Sequence, residues 1–209
     1  MADFPMLILV LWLAGADSVR IRPLSQAPVV RNSADLASLG APSLTLAGGA
    51  SVWLLKDSTA VVLIASLSDS TPAWNDRVVL TLDTNGDRAA SPQHDDFQWD
   101  FHRVADSSVI YRGRDGRWQP PHDDPDWRLG HDRDGGGWSV REKEVAGGWV
   151  LIVRFDPEYF SQAGRIAPGL GIASFDEGLR RWDSWPAVSP GRQPGSLPDH
   201  PSMWGIVLR

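Results

Sequence analysis

The sequence predicts an all-β protein: an antiparallel β-sandwich, jelly-roll or immunoglobulin-like, with roughly nine or ten strands and one or two short helices. Three observations lead there. Apolar residues alternate with polar ones at a period of two in several short runs. Asp-Gly and Gly-Gly pairs separate such runs, as hairpin turns require. Finally, 20 Gly and 16 Pro are spread along the 209 residues, leaving little uninterrupted chain for helices.

The first sixteen residues read apart from the rest. Pro5 to Ala14 carry no charge and are too few to span a bilayer as a helix. Ala14-Gly15-Ala16 then gives the small-x-small pattern of a signal-peptidase site, so 1–16 is read as a signal peptide and 17–209 as one secreted or periplasmic domain. A hydrophobic first strand is the alternative, because Asp3 stands where a Lys or Arg is expected. The absence of Cys fits either compartment, since a core of this size needs no disulfides.

Helices are expected only at Ala34 to Leu39 and Pro157 to Ala163. Thr59 to Leu67 is apolar almost throughout and predicts a central strand covered on both faces. Val78, Leu80 and Leu82 alternate with Val79, Thr81 and Asp83, and Phe97, Trp99 and Phe101 alternate with Gln98, Asp100 and His102. Hairpin turns are expected at Leu55 to Ser58, Asp115-Gly116 and Gly147-Gly148, and Trp204 to Leu208 reads as a last strand. Two longer loops remain, Asp83 to Asp96 and Trp182 to Met203, and long ordered loops are where function tends to sit.

Composition excludes several classes. With 42% hydrophobic and 22% charged residues, the chain is neither disordered nor a multi-span membrane protein. Its net charge is -6, and its 18 Arg are scattered among Asp rather than gathered in a stripe, so no nucleic-acid partner is expected. A membrane partner of the mature form is not expected either. There is no Gly-x-Ser-x-Gly, no Cys nucleophile and no phosphate-cradling loop, so the protein is read as a non-enzyme.

Eleven Trp are the most informative count. Trp53, Trp99, Trp138, Trp149 and Trp204 lie in strand-like runs and are read as core, whereas Trp74, Trp118, Trp127, Trp182 and Trp185 stand beside Pro, Asp and Arg. An exposed indole offers a flat face that suits the apolar patches of a sugar ring, and Trp74, Trp118, Trp182 and Trp185 are the candidate ligand-binding residues. The segment 83–96 sets oxygen side chains at short intervals, which makes Asp83, Asn85, Asp87, Asp95 and Asp96 candidate ligands for a structural calcium ion. It departs from an EF-hand, with Arg88 in place of the sharp-turn Gly and His94 in place of the bidentate Glu; the alternative is an acidic loop held by Asx-turns. His-Asp-Asp at His94 to Asp96 and at His122 to Asp124, with His131-Asp132, has no transition-metal spacing.

From about Ala50 to Arg209 the chain resembles the family 9 carbohydrate-binding modules and the wider DOMON-like sandwiches. The resemblance lies in the order of Ser51 to Leu55, Ala60 to Ser66 and Asp69, then Trp74 to Asp83 with its acidic loop. It continues with Gly148 to Phe155 before Pro157-Glu158-Tyr159-Phe160, and with the Trp182 segment ending at Trp204-Gly205. It implies non-catalytic binding of a mono- or oligosaccharide between two Trp, with Trp74 and either Trp182 or Trp185 nearest by position, and a structural calcium. Two alternatives are a haem-binding DOMON-type electron-transfer domain, for which Met203 and His200 would be the axial candidates, and a sandwich scaffold that binds no sugar.

Overall fold

The computed structural model describes residues 18–104, 108–120, 137–160, 167–187, 201 and 204–208. Two sheets face each other. The larger contains β1 (Ser18–Arg20), β6 (Arg77–Asp83), β7 (Asp96–His102), β8 (Ser108–Arg114), β9 (Arg117–Gln119), β12 (Gly169–Asp176), β13 (Arg181–Trp185) and β14 (Gly205–Leu208). Their order is β1-β14-β12-β6-β7-β8-β9, with β13 also paired to β12. The smaller sheet runs β10 (Trp138–Val145), β11 (Gly148–Phe155), β5 (Val61–Leu67), β4 (Ser51–Lys56), β2 (Arg22–Pro23), and β3 (Leu44–Thr45) pairs with β4. The ladders are antiparallel except at two edges, β1 on β14 and β2 on β4.

The period-two runs put their apolar sides together between the sheets. Val78, Leu80, Leu82, Trp99 and Phe101 from the larger sheet meet Leu54, Leu63, Leu151, Val153 and Phe155 from the smaller. Trp99 is fully buried at the centre, edge-on to Phe155 at 5.1 Å and to Tyr159 at 5.7 Å. β5 is the covered central strand expected, flanked by β4 and β11. Its outer side packs under helix α1 (Ser33–Ser38), where Leu36 sits among Trp53, Leu55, Val62 and Ile64. The helix starts on a capping box: the Asn32 side chain accepts from Asp35 N, and the Asp35 carboxylate accepts from Asn32 N.

The hairpins form where the turn chemistry places them. Asp115 (φ 51°) and Gly116 (φ 77°) join β8 to β9, and Asp57 caps the β4–β5 turn by accepting from Thr59 N and Ala60 N. Between β10 and β11 the turn is shifted by one residue, to Ala146-Gly147, and Gly148 already belongs to the strand. A further difference concerns the expected loop from Trp182, whose first part is strand β13, which among the described residues is an edge strand paired only to β12. Pro157–Phe160 forms a single 3₁₀ turn, and the remainder of that expected helix, 161–163, lies outside the described residues. So do 1–16, Trp127, His122 to Asp124, His131-Asp132, His200 and Met203. Among the described residues, no helix is long and apolar enough to cross a membrane.

Candidate functional site

Because Val78, Leu80 and Leu82 point into the core, Arg77, Val79, Thr81 and Asp83 of β6 face outward. Register extends that outward face across the larger sheet. Phe175 lies opposite Arg77 and Trp182 opposite Phe175, while Asp100 lies opposite Val79 and Tyr111 opposite Gln98. The Phe175 and Trp182 rings are 4.9 Å apart, and the Arg77 guanidinium carbon lies 5.0 Å from the Trp182 ring centre. Arg77 also reaches Asp100 Oδ2 at 3.4 Å, and His102 Nε2 is 3.7 Å from Asp100 Oδ1. Trp185 takes the other side: it lies opposite Ile172, packs on the inter-sheet core and covers Gly205.

Trp74 stands at the same end of β6 as Arg77, in the loop from β5, and is 65% exposed. It is flanked by tightly held neighbours. Ala73 N donates to Asp76 Oδ2 at 2.8 Å, and Asn75 donates from N and Nδ2 to the Glu177 carboxylate at 3.0 and 2.7 Å. Asp76, itself 1% exposed, accepts from Glu177 N through its other oxygen, so the loop is tied to the β12–β13 turn. An exposed indole is thus carried at the same end of the sheet as an outward row of Trp182, Phe175, Arg77 and His102, the mixture of flat apolar rings and polar edges that a hydroxylated ring ligand needs.

The acidic loop lies at the far end of β6, about 20 Å away at ~3.4 Å per residue. Asp83 ends β6 and Asp96 begins β7 directly opposite it, and both are fully buried. Like charges facing each other across a ladder are destabilising, and burial makes them more so. Burial, with the neighbouring carboxylates adding to it, pushes Asp83 and Asp95 up and Asp96 up to about 8. Asp83, Asp95 and Asp96 each bring a carboxylate oxygen within 4.8 Å of the others. Asp83 accepts from Gly86 N and Arg88 N, and Asp96 Oδ2 from Gln93 N, whereas Asp96 Oδ1 and Asp95 Oδ2 are buried without a hydrogen-bond partner. Hard oxygen donors with unmet acceptor capacity fit a hard cation such as calcium. Of the other expected ligands, Asp87 is exposed and outside this group; its carboxylate accepts from Ala89 N and Asn85 Nδ2, and Asn85 Oδ1 accepts from Asp87 N. Those two close an Asx-turn in the loop. His94 pairs with Arg112 instead of joining the acids.

Trp118 is not brought to Trp74. It lies on β9 opposite Gly113, at the acidic end, stacked on buried Trp204 with ring centres 6.1 Å apart. Residues that sequence reasoning missed at the Trp74 end are Asp76, Glu177 and the buried Arg103, whose partners lie far along the chain. A narrow cleft between the sheets near this end is lined by Asp69, Trp149, Asp176, Arg181 and Asp183.

No protein-family model and no curated protein matches the chain. Among solved structures it is similar to a family 9 carbohydrate-binding module from Caldicellulosiruptor kristjanssonii in complex with cellotriose, at 18% identity and TM-score 0.54, covering 92% of this chain and 93% of that one. The same kind of module from that organism in complex with glucose matches at 18% identity and TM-score 0.53, covering 92% and 95%. The two facing sheets thus have the β-sandwich fold of the family 9 carbohydrate-binding modules.

Proposed function

We propose that this protein is a non-catalytic carbohydrate-binding module, exported by residues 1–16, that takes a mono- or oligosaccharide on Trp74 and the adjoining outward face. The observation that carries the reading is Trp74 itself, 65% exposed yet held in place on both sides by Asp76 and Glu177. An isolated exposed Trp needs no such bracing. Covering about half of its ~200 Å² face is worth ~2 to 3 kcal/mol. Trp182 is the better second ring, because it faces outward beside Arg77 while Trp185 is turned into the core. Arg77, Asp100 and His102 offer donors and acceptors for hydroxyls. The ligands of the two similar structures, cellotriose and glucose, support glucose-containing glycans as the first to test.

Calcium is proposed as a structural ion held by Asp83, Asp95 and Asp96, relieving their mutual repulsion. At about 20 Å from Trp74, it acts on stability rather than on the sugar. The test is a glycan array on residues 17–209, with and without EDTA. Binding to glucans in both conditions supports carbohydrate recognition in which calcium takes no direct part; no glycan bound in either favours a sandwich scaffold.

A further inference from the structure

Beneath the Trp74 loop lies a buried cation with an unusual number of anionic partners. Arg103 follows β7, and its side chain is 1% exposed. Nη1 donates to Asp69 Oδ2 at 2.9 Å and to Asp76 Oδ2 at 3.2 Å, while Nε and Nη2 grip the two oxygens of Glu144 on β10 at 2.8 and 2.7 Å. The guanidinium carbon lies 5.5 Å from the Trp149 ring centre, and the Arg103 backbone N–H donates to Asp76 O.

For stability alone this is a poor arrangement, since desolvating a charge cluster offsets its Coulomb gain and apolar side chains of similar volume do as well. What the fork supplies is direction. Its donors are coplanar and fixed, so carboxylates bound to it are fixed too. Asp69 lies near the start of the loop between β5 and β6, and Asp76 closes it. Each passes the restraint to the backbone: Asp69 Oδ1 accepts from Thr71 N, and Asp76 accepts from Ala73 N and Glu177 N. Trp74 follows directly on the last loop amide held in this way. Glu144 anchors the same guanidinium to the opposite sheet, which keeps the fork from rotating.

We infer that Arg103 is a positioning residue of the ligand site, ordering Trp74 through Asp69 and Asp76 before any ligand arrives. The ligand that Trp74 meets rests on the carbohydrate reading above; the ordering does not. Ordering a side chain in advance removes a binding penalty equivalent to about two- to tenfold in affinity.

The test is fluorine NMR of protein labelled with fluorotryptophan, with the Trp74 resonance assigned by its loss in Trp74→Phe, alongside cellotriose titration. Arg103→Lys keeps the charge and removes the fork. Expected is movement of the Trp74 resonance toward that of free fluorotryptophan, with the Trp53 and Trp99 resonances in place, and an affinity about two- to tenfold weaker. Glu144→Gln, at a side chain 61% exposed, keeps the core intact and shifts Trp74 in the same direction by less. If Arg103→Lys does not fold, Glu144→Gln decides. A Trp74 resonance that stays at its wild-type position in every folded variant overturns the inference. Should wild type bind cellotriose while that resonance stays, only the positioning falls; should the resonance move while wild type binds no sugar, only the carbohydrate reading falls.

Discussion

Asn75 gives both its backbone N–H and its side-chain amide to the carboxylate of Glu177, 102 residues further along the chain. These donors hold the Glu177 carboxyl below its usual range. The contact clasps the Trp74 loop to the β12–β13 turn, which carries Phe175 and Trp182 on its two sides. Because the pair is exposed, it adds little to global stability. Glu177→Ala is therefore expected to weaken cellotriose binding several-fold while leaving the melting temperature nearly unchanged, as read by titration and calorimetry. A depressed carboxyl stabilises above its unfolded value and loses that contribution as pH falls, so acid should loosen the same clasp.

Calcium at roughly 100 times its dissociation constant adds ~2.7 kcal/mol to the folded state, which for a chain of this size raises the melting temperature by about 5 to 10 °C. Asp96→Asn and Asp83→Ala should each abolish most of that shift, and Asp87→Ala should keep most of it, because Asp87 lies outside the converging carboxylates. In EDTA the raised carboxyls give a signed pH dependence. Their stability contribution is complete below the ordinary carboxylate value of 3.8 and is lost as pH rises through about 8 for Asp96. Metal-free protein should thus melt lower near neutral pH than in weak acid, and calcium should remove that difference.

Asp57 behaves in the opposite sense. Its carboxyl is lowered from 3.8 to about 2, chiefly by the Thr59 N–H, with the Thr59 hydroxyl, Ala60 N and Arg154 helping against burial. Its contribution is present above 3.8 and is lost as pH falls through about 2. Asp57→Asn is expected to be less stable than wild type near neutral pH and to approach it as pH falls through about 2, where the carboxyl becomes neutral like the amide; urea midpoints across that range measure this.

Much of the sandwich was legible because its strands are half-buried, and burial on one face writes a period of two into Val78-Leu80-Leu82 and Phe97-Trp99-Phe101. β13 was not, because an edge strand with Trp182 outward and Asp183 inward has no clean apolar side, and Pro186 follows it. The pieces β2 and β3, two residues each, are too short to carry a pattern. Trp74 was visible as a Trp in polar surroundings, and the acidic loop as a density of oxygens. Nothing local separates Asp83 from Asp87; the difference is ladder register, which sets Asp83 opposite Asp96. Arg103 gave no signal, since its partners Asp76, Asp69 and Glu144 lie 27, 34 and 41 residues away.

Trp99 tests the core independently of any ligand. It is fully buried, and its indole Nε1 has no hydrogen-bond partner. Trp99→Ala should cost ~3 to 5 kcal/mol in chemical denaturation, mainly through the cavity. Trp99→Phe should cost clearly less, because the smaller ring also removes an unpaired donor.

The most direct measurement is calorimetric titration of wild type and Trp74→Ala with cellotriose and glucose, at high protein concentration. Wild type is expected to bind, and the variant to bind about thirtyfold more weakly, ~2 kcal/mol for one lost stacking face, with an unchanged melting temperature. Wild-type affinity retained in Trp74→Ala, or no binding of either sugar by wild type, contradicts carbohydrate recognition at this site.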